Sequence, residues 1–258
     1  MSKKLTVVKI GGNVINDENL LSKVLKDFAA LKEHKILIHG GGKRASALMR
    51  QMGMQPKLVD GRRITDAATL EVVTMVYAGL INKKVVADLQ AIEVNVIGLT
   101  GADLNAIQSH KRPIKTIDYG FVGDIEKIGT TNIAKLLAAD FVPVFCAITH
   151  NKKGQLLNTN ADSIASNIAV GMSELYEVTL ILCFEKDGVL SNPEDDNSVM
   201  EKISFEQFQT YKKSGIIYEG MIPKMEGAFN ALQKGVDNVF VAGTSALSEE
   251  GNIGTKLI

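Results

Sequence analysis

At 258 residues the chain is long enough to bury a large core, as one broad domain or as two lobes sharing a sheet. Lys plus Arg and Asp plus Glu balance at 29 each, so no bulk field draws it to nucleic acid or to a membrane surface. Aromatic residues make up 5% of the chain with no Trp, which argues against stacking platforms for bases. No apolar run approaches the roughly 20 residues needed to span a bilayer. Cys146 and Cys183 each sit in an apolar run and read as buried free thiols of a reducing compartment. The first strand starts almost at once, with no signal peptide before it, so the expected location is the cytoplasm.

That first run, Val7-Val8-Lys9-Ile10, reads as a buried strand carrying one lysine, and it breaks into Gly11-Gly12-Asn13. An ammonium inside such a run must find an anionic partner or lose its proton. Two glycines beyond it let backbone N–H groups approach a ligand closely. The pattern fits a cation and a backbone cradle for an anion such as a phosphate. It also fits a strand-end lysine that snorkels to solvent before a Gly-Gly turn. A helix over about residues 18–32 follows, with Leu21, Val24, Leu25 and Phe28 at helical spacing.

A short strand at 35–39 then runs into Gly40-Gly41-Gly42 and a helix over about 43–52, stopped by Gly53. Helix N-termini carry free N–H groups, and cations such as Lys43 and Arg44 in a first turn make sense if an anion binds nearby. The spacing matches neither GxGxxG nor GxxxxGK[ST]. Residues 54–65 read as a hairpin ending in Arg62-Arg63, with Arg63 able to clamp a carboxylate if the hairpin folds over a site. A long helical region over 66–92, capped by Asp66, carries the broad apolar face of Leu70, Val73, Val76, Tyr77 and Leu80, for core packing or a homodimer interface.

Strand 94–99 is followed by a polar, β-like region in which residues 120–125 give a hairpin signal, then a helix near 132–139 and a strand over 141–148. Asn158, Asn160 and Asp162 precede a helix. Capping chemistry explains them, and so does a polar ligand at a helix mouth. Strand 177–183 ends in Phe184-Glu185-Lys186-Asp187-Gly188-Val189, at the kind of sheet edge where ligands of open α/β sheets collect. A polar loop at 192–198, a helix near 205–213, a second helix opened by Pro223 and Lys224, and strands at 239–242 and 254–258 complete the chain. Strands alternating with helices predict an α/β fold with a mostly parallel central sheet.

Taken together, Lys9-Ile10-Gly11-Gly12, His39-Gly40-Gly41-Gly42 and Gly220-Met221-Ile222-Pro223-Lys224 resemble the amino-acid kinase family. Gly61-Arg62-Arg63-Ile64-Thr65, Gly120-Phe121-Val122-Gly123-Asp124-Ile125, Asn158-Thr159-Asn160-Ala161-Asp162 and Gly254-Thr255 fall in that family's order. The resemblance implies a three-layer αβα sandwich. An N-terminal lobe, residues 1–175, would bind the acyl amino acid and dimerise, and a C-terminal lobe, residues 176–258, would bind ATP.

It further implies ATP-dependent phosphorylation of the side-chain carboxylate of an N-acylated L-glutamate, with N-acetylglutamate as the expected substrate and N-succinylglutamate as the alternative, to an acyl phosphate in arginine and ornithine biosynthesis. In that reading Lys9 stabilises the transferring phosphoryl group, Lys224 serves the leaving-group side and the nucleotide, and Asp162 holds both lysines. Gly12, Gly41 and Gly42 donate backbone N–H groups, while Arg63, Asn158 and Asn160 bind substrate. Gly11, Glu185, Asp187 and Gly188 lie on the nucleotide side, and Mg²⁺ travels with the ATP phosphates rather than in a protein cage. Phe184-Glu185-Lys186 departs from the family's usual Thr-Asp-Val, which leaves the nucleotide contacts open. Lys43-Arg44 departs from the usual Gly-Pro and adds positive charge near the substrate, which admits a more acidic acyl group such as succinyl.

The chain also lacks the N-terminal helical extension of arginine-regulated hexamers, so an unregulated homodimer paired through residues 66–92 is expected. The alternatives are a family member acting on UMP, carbamate or free glutamate, and a non-catalytic ligand-sensing module on the same fold.

Overall fold

The computed structural model describes residues 3–59, 61–184, 186–192, 194–217, 221–248 and 254–258. Strand β1 (Lys4–Ile10) is buried on both faces from Leu5 onward, as a central parallel strand must be. It leads through Gly11 into a short helix α1 (Gly12–Asn16) and then α2 (Glu18–Ala30), whose first turn Asp17 caps by accepting from Leu20 N at 3.0 Å. Leu21, Val24, Leu25 and Phe28 form the buried stripe of α2, at the spacing the sequence predicts. Strand β2 (His34–His39) and helix α3 (Gly42–Gln51) follow, then the hairpin β3 (Leu58–Val59) and β4 (Arg62–Arg63).

The region predicted as one long helix is three pieces. Helix α4 (Ala67–Thr74), capped by Asp66, runs into a π-helical stretch (Met75–Ile81) and then α5 (Asn82–Gln90). Strand β5 (Val96–Leu99) precedes the antiparallel pair β6 (Ile107–Lys111) and β7 (Gly123–Ile128). The hairpin signal at 120–125 thus falls on the last residues of a long connection and the start of the second strand, not on a tight turn. Gly120 serves a different need. It holds φ 70° and bridges to Thr65, so close that an added Cβ would lie 2.1 Å from the Thr65 carbonyl oxygen.

Helix α6 (Thr130–Ala138) leads to β8 (Val142–Cys146). The predicted strand at 141–148 breaks at Ala147, and β9 (Ile148–His150) joins a different sheet with β10 (Leu156–Asn158). Both halves are buried, so hydrophobicity alone does not mark the break. Helix α7 (Ala161–Met172), β11 (Glu177–Cys183), β12 (Lys202–Ile203), α8 (Phe205–Ser214), α9 (Ile222–Gln233), β13 (Asn238–Ala242) and β14 (Thr255–Leu257) complete the described chain.

Among the described residues the main sheet runs β12-β14-β13-β11-β1-β2-β8-β5, parallel throughout except for β13 against β14. A smaller sheet runs β10-β9-β6-β7. β1 lies between β2 and β11: the chain leaves β1 toward β2 on one side, and leaves β11 toward β12 and β13 on the other. That is the topological switch point at whose C-terminal edge open α/β sheets bind ligands. Cys146 and Cys183 are free, buried thiols that burial pushes up to about 12, so both stay protonated at neutral pH. No helix among the described residues is long and apolar enough to cross a membrane.

Candidate active site

Lys9 leaves the C-terminal end of β1 with only 7% of its surface exposed, and the predicted anionic partner is present. Its Nζ lies 2.8 Å from Asp162 Oδ1 in the first turn of α7. That oxygen makes no hydrogen bond, so the contact is an ion pair rather than a directed bond. A buried ammonium without such a partner would cost several kcal/mol, on the order expected for an isolated buried charge. Asp162 therefore does more than suit a helix N-terminus. Asn160 is the cap itself, accepting from Ser163 N at 3.0 Å, and Asn158 donates from Nδ2 to Thr65 Oγ1 at 3.0 Å.

Two cavities meet at Lys9. The first, about 490 Å³, is lined by Lys9, Gly11, Gly12, Gly41, Gly42, Arg63, Asn158, Asn160 and Asp162, so nine predicted site residues converge on it. The second, about 710 Å³, is lined by Lys9, Gly11, Gly12, Gly188 and Lys224 of the predicted set, together with Phe184 and Lys186. Gly42 and Lys43 line both. Arg44 lines neither, so of the two first-turn cations only Lys43 faces the junction, where it donates to Asn13 Oδ1. Asp187 stands beside the second cavity without lining it and accepts from Ser245 Oγ at 3.0 Å. Glu185 and Gly220 lie outside the described residues.

The hairpin does fold over the site. Arg63 is buried, and its Nη2 donates to Gly42 O at 2.9 Å and to Ser46 Oγ at 2.7 Å, tying β4 to the first turns of α3. Arg62, beside it, is exposed at the cavity rim. Gly41 packs against the π-helical stretch: an added Cβ would meet Ile81 Cδ1 and lie 2.8 Å from Tyr77 Cδ1, so a larger residue there would push both side chains aside. Burial raises the Tyr77 phenol, and the neighbouring Arg63 partly opposes that rise. Under the glycines, His39 is fully buried. Its Nδ1 contacts Gly40 O at 2.8 Å and its Nε2 lies 3.1 Å from Asn82 Nδ2, which fits a neutral ring protonated on Nδ1. Desolvation lowers its pKa to about 4.

Phe184, absent from the sequence-based set, stands between the two lysines. Lys224 Nζ lies 4.3 Å and Lys9 Nζ 5.8 Å from its ring centroid, distances at which the aromatic quadrupole attracts a cation. Only its place at the end of β11 hinted at this. Tyr77 and Ser46 were also missed as site residues, because at helical spacing they look like any inward-facing position.

The model of the amino acid kinase family matches residues 4–243. The chain belongs to the amino acid kinase family. Acetylglutamate kinase of Bacteroides fragilis is 50% identical over 257 residues, covering 100% of this chain and 98% of the relative. Acetylglutamate kinase of Phocaeicola vulgatus is 51% identical over 249 residues, covering 96% of this chain and 97% of the relative. Among solved structures, N-acetylglutamate synthase of Neisseria gonorrhoeae, complexed with coenzyme A and N-acetyl-glutamate, superposes with a TM-score of 0.82. It is 22% identical and covers 99% of this chain and 59% of that one, a likeness of fold alone. In this amino acid kinase, the paired cavities lie at the edge where β1, β2 and β11 end, so the family fold and the site geometry coincide.

Proposed function

We propose that this chain phosphorylates the side-chain carboxylate of an N-acylated L-glutamate with ATP, giving an acyl phosphate and ADP in arginine and ornithine biosynthesis. N-acetylglutamate, the acyl form for which its relatives are named, is a substrate. The observation that carries this reading is the junction of two cavities at the Lys9–Asp162 pair. One chamber is sized for a small dicarboxylate and the other for a nucleotide, and a phosphoryl group passing between them must cross Lys9.

A γ-carboxylate has a reference pKa of about 4.3, so it reaches the site already ionised and needs no general base. The requirement is charge stabilisation while two anions are brought together. Lys9 holds the transferring phosphoryl group, with Asp162 fixing the ammonium in place. Lys224 stabilises the leaving side, and Phe184 fixes the direction of both amines. Gly11, Gly12, Gly41 and Gly42 offer backbone N–H groups, Arg63 with Asn158 and Asn160 orients the acyl glutamate, and Glu185, Asp187 and Gly188 serve the nucleotide side. Mg²⁺, when bound with ATP, supplies further neutralisation of the phosphates. Residues 1–175 form the acyl-amino-acid lobe and residues 176–258 the ATP lobe. The enzyme acts in the cytoplasm as a homodimer paired through the 66–92 region.

Purified protein assayed with ATP against N-acetylglutamate, glutamate, carbamate and UMP tests this. Turnover of N-acetylglutamate is expected, and turnover of UMP or carbamate alone overturns the reading. Lys9→Met should lower kcat by about 10²-fold or more, as loss of one charge-stabilising donor does, with a smaller change in KM. A sensing module would keep ligand affinity and show no turnover in the wild-type protein.

A further inference from the structure

The acyl glutamate cavity carries more positive charge than N-acetylglutamate can answer. Asp162 is its one acidic lining side chain among the described residues, and that carboxylate is committed to Lys9. An acetylated glutamate brings two carboxylates: the reacting one, which faces Lys9, and the α-carboxylate, which the reading above assigns to Arg63. Arg50, Arg62 and Arg112 remain on the same wall. Neither Arg50 nor Arg62 has a carboxylate partner among the described residues. Arg112 is paired with Asp124 through Nε and Nη2, but its buried Nη1 has no acceptor.

These cations are arrayed in one direction. Lys43, Ser46 and Arg50 fall at i, i+3 and i+7 on α3 and share the face that lines the cavity. Seven residues of helix span about 10 Å, so the row leads away from the phosphoryl junction, past the buried Arg63, to Arg50. Arg62 of the hairpin closes over the same side. The dipole at the C-terminal end of α3 accounts for Arg50 alone. Like charges gathered on one wall repel one another unless an anion lies between them.

We infer that the site takes N-acyl glutamates whose acyl group ends in a carboxylate, N-succinyl-L-glutamate being the simplest, and prefers them to N-acetylglutamate, with Arg50 and Arg62 reading the distal carboxylate. This rests on the acyl glutamate kinase reading above. Relative to acetyl, a succinyl chain carries its carboxylate two carbons further, about 2.5 Å along an extended chain, toward the arginine end. Planar guanidinium groups suit a carboxylate there through paired N–H donors.

The test measures kcat/KM of the wild-type enzyme for N-acetyl-, N-butyryl- and N-succinyl-L-glutamate. N-butyryl matches succinyl closely in length but lacks the charge. N-succinylglutamate is expected to exceed N-acetylglutamate at least tenfold, with N-butyrylglutamate no better than N-acetylglutamate. The double variant Arg50→Gln/Arg62→Gln should lower the succinyl-to-acetyl ratio at least tenfold. Because the ratio is read within one preparation, partial loss of folded enzyme cancels. N-acetylglutamate turnover without a succinyl advantage, an equal gain from butyryl, or a ratio that the double variant leaves unmoved overturns the inference and leaves the kinase reading standing. Absence of turnover with every acyl glutamate overturns both.

Discussion

His39 sets a pH dependence at the scale of a single residue. The ring is fully buried between Gly40 and Asn82, and desolvation holds its pKa at about 4, below the ordinary 6.5. Between those two values the unfolded chain binds a proton that the folded chain refuses, so stability rises with pH across this window. The contribution is complete above pH 6.5 and is lost as pH falls toward 4, about 3 kcal/mol in all at 1.36 kcal/mol per unit. Urea unfolding at pH 7 and pH 5 should therefore show a smaller drop in His39→Gln than in wild type, by about 2 kcal/mol. An identical drop in both proteins would assign the acid sensitivity elsewhere. In the folded protein the added proton goes to Nε2, which faces the Asn82 amide donor, so protonation breaks that contact at the end of the π-helical stretch packed on Gly41, and activity should fall as pH approaches about 4.

The π-helical stretch is the element that couples this residue to the site. Its wider turn brings Tyr77 and Ile81 against Gly41 and hands Asn82 to His39 and to the Val144 carbonyl, which accepts at 3.0 Å. Deleting Gly79 would restore α-helical spacing and rotate Ile81 and Asn82 by about 100° relative to Tyr77, one residue's turn at 3.6 residues per turn. The deletion should cost about 2–4 kcal/mol, as broken buried networks do, and raise KM for the acyl glutamate. Gly79→Ala meets open space and should be neutral or stabilising by up to about 1 kcal/mol. Equal stability of the deletion and the alanine variant would show that the wide turn positions nothing. The sequence reads 66–92 as one continuous helix because Leu70, Val73, Val76 and Tyr77 satisfy a helical period whether or not the backbone widens beyond them. Strands that end at a chemical break were legible: β1 and β2 are apolar runs that stop at glycines, and β11 is one that stops at the charged Phe184-Glu185-Lys186-Asp187 stretch. The lysine in β1 predicted a counter-charge that Asp162 supplies. The break at Ala147 and the lysine contacts of Phe184 were not legible, because each depends on which distant strand or helix arrives opposite.

At the scale of the whole molecule, the same helical region that backs the site also presents apolar surface outward. Met75 is 53% and Leu80 52% exposed, while Val76, Tyr77 and Ile81 of the same stretch are buried, the last two against Gly41. One element thus lines the first cavity with Tyr77 on its inner face and leaves an apolar outer face free for the homodimer proposed above. A stable pair of subunits buries about 800 Å² on each partner, with apolar side chains at the centre of the patch. Placing a carboxylate at that centre, as in Leu80→Glu with Met75→Glu, would bury two unpaired charges per subunit at several kcal/mol each. The wild-type chain should sediment as a dimer of 27.9 kDa subunits and the double variant as a monomer. A wild-type monomer, or a variant dimer of unchanged affinity, would remove residues 66–92 from the interface. If the dimer does form there, the π-helical stretch is clamped from outside, and the monomeric variant should also bind the acyl glutamate more weakly. Restoring subunit contact by raising protein concentration should then restore KM, an effect that damage confined to the cavity would not reproduce.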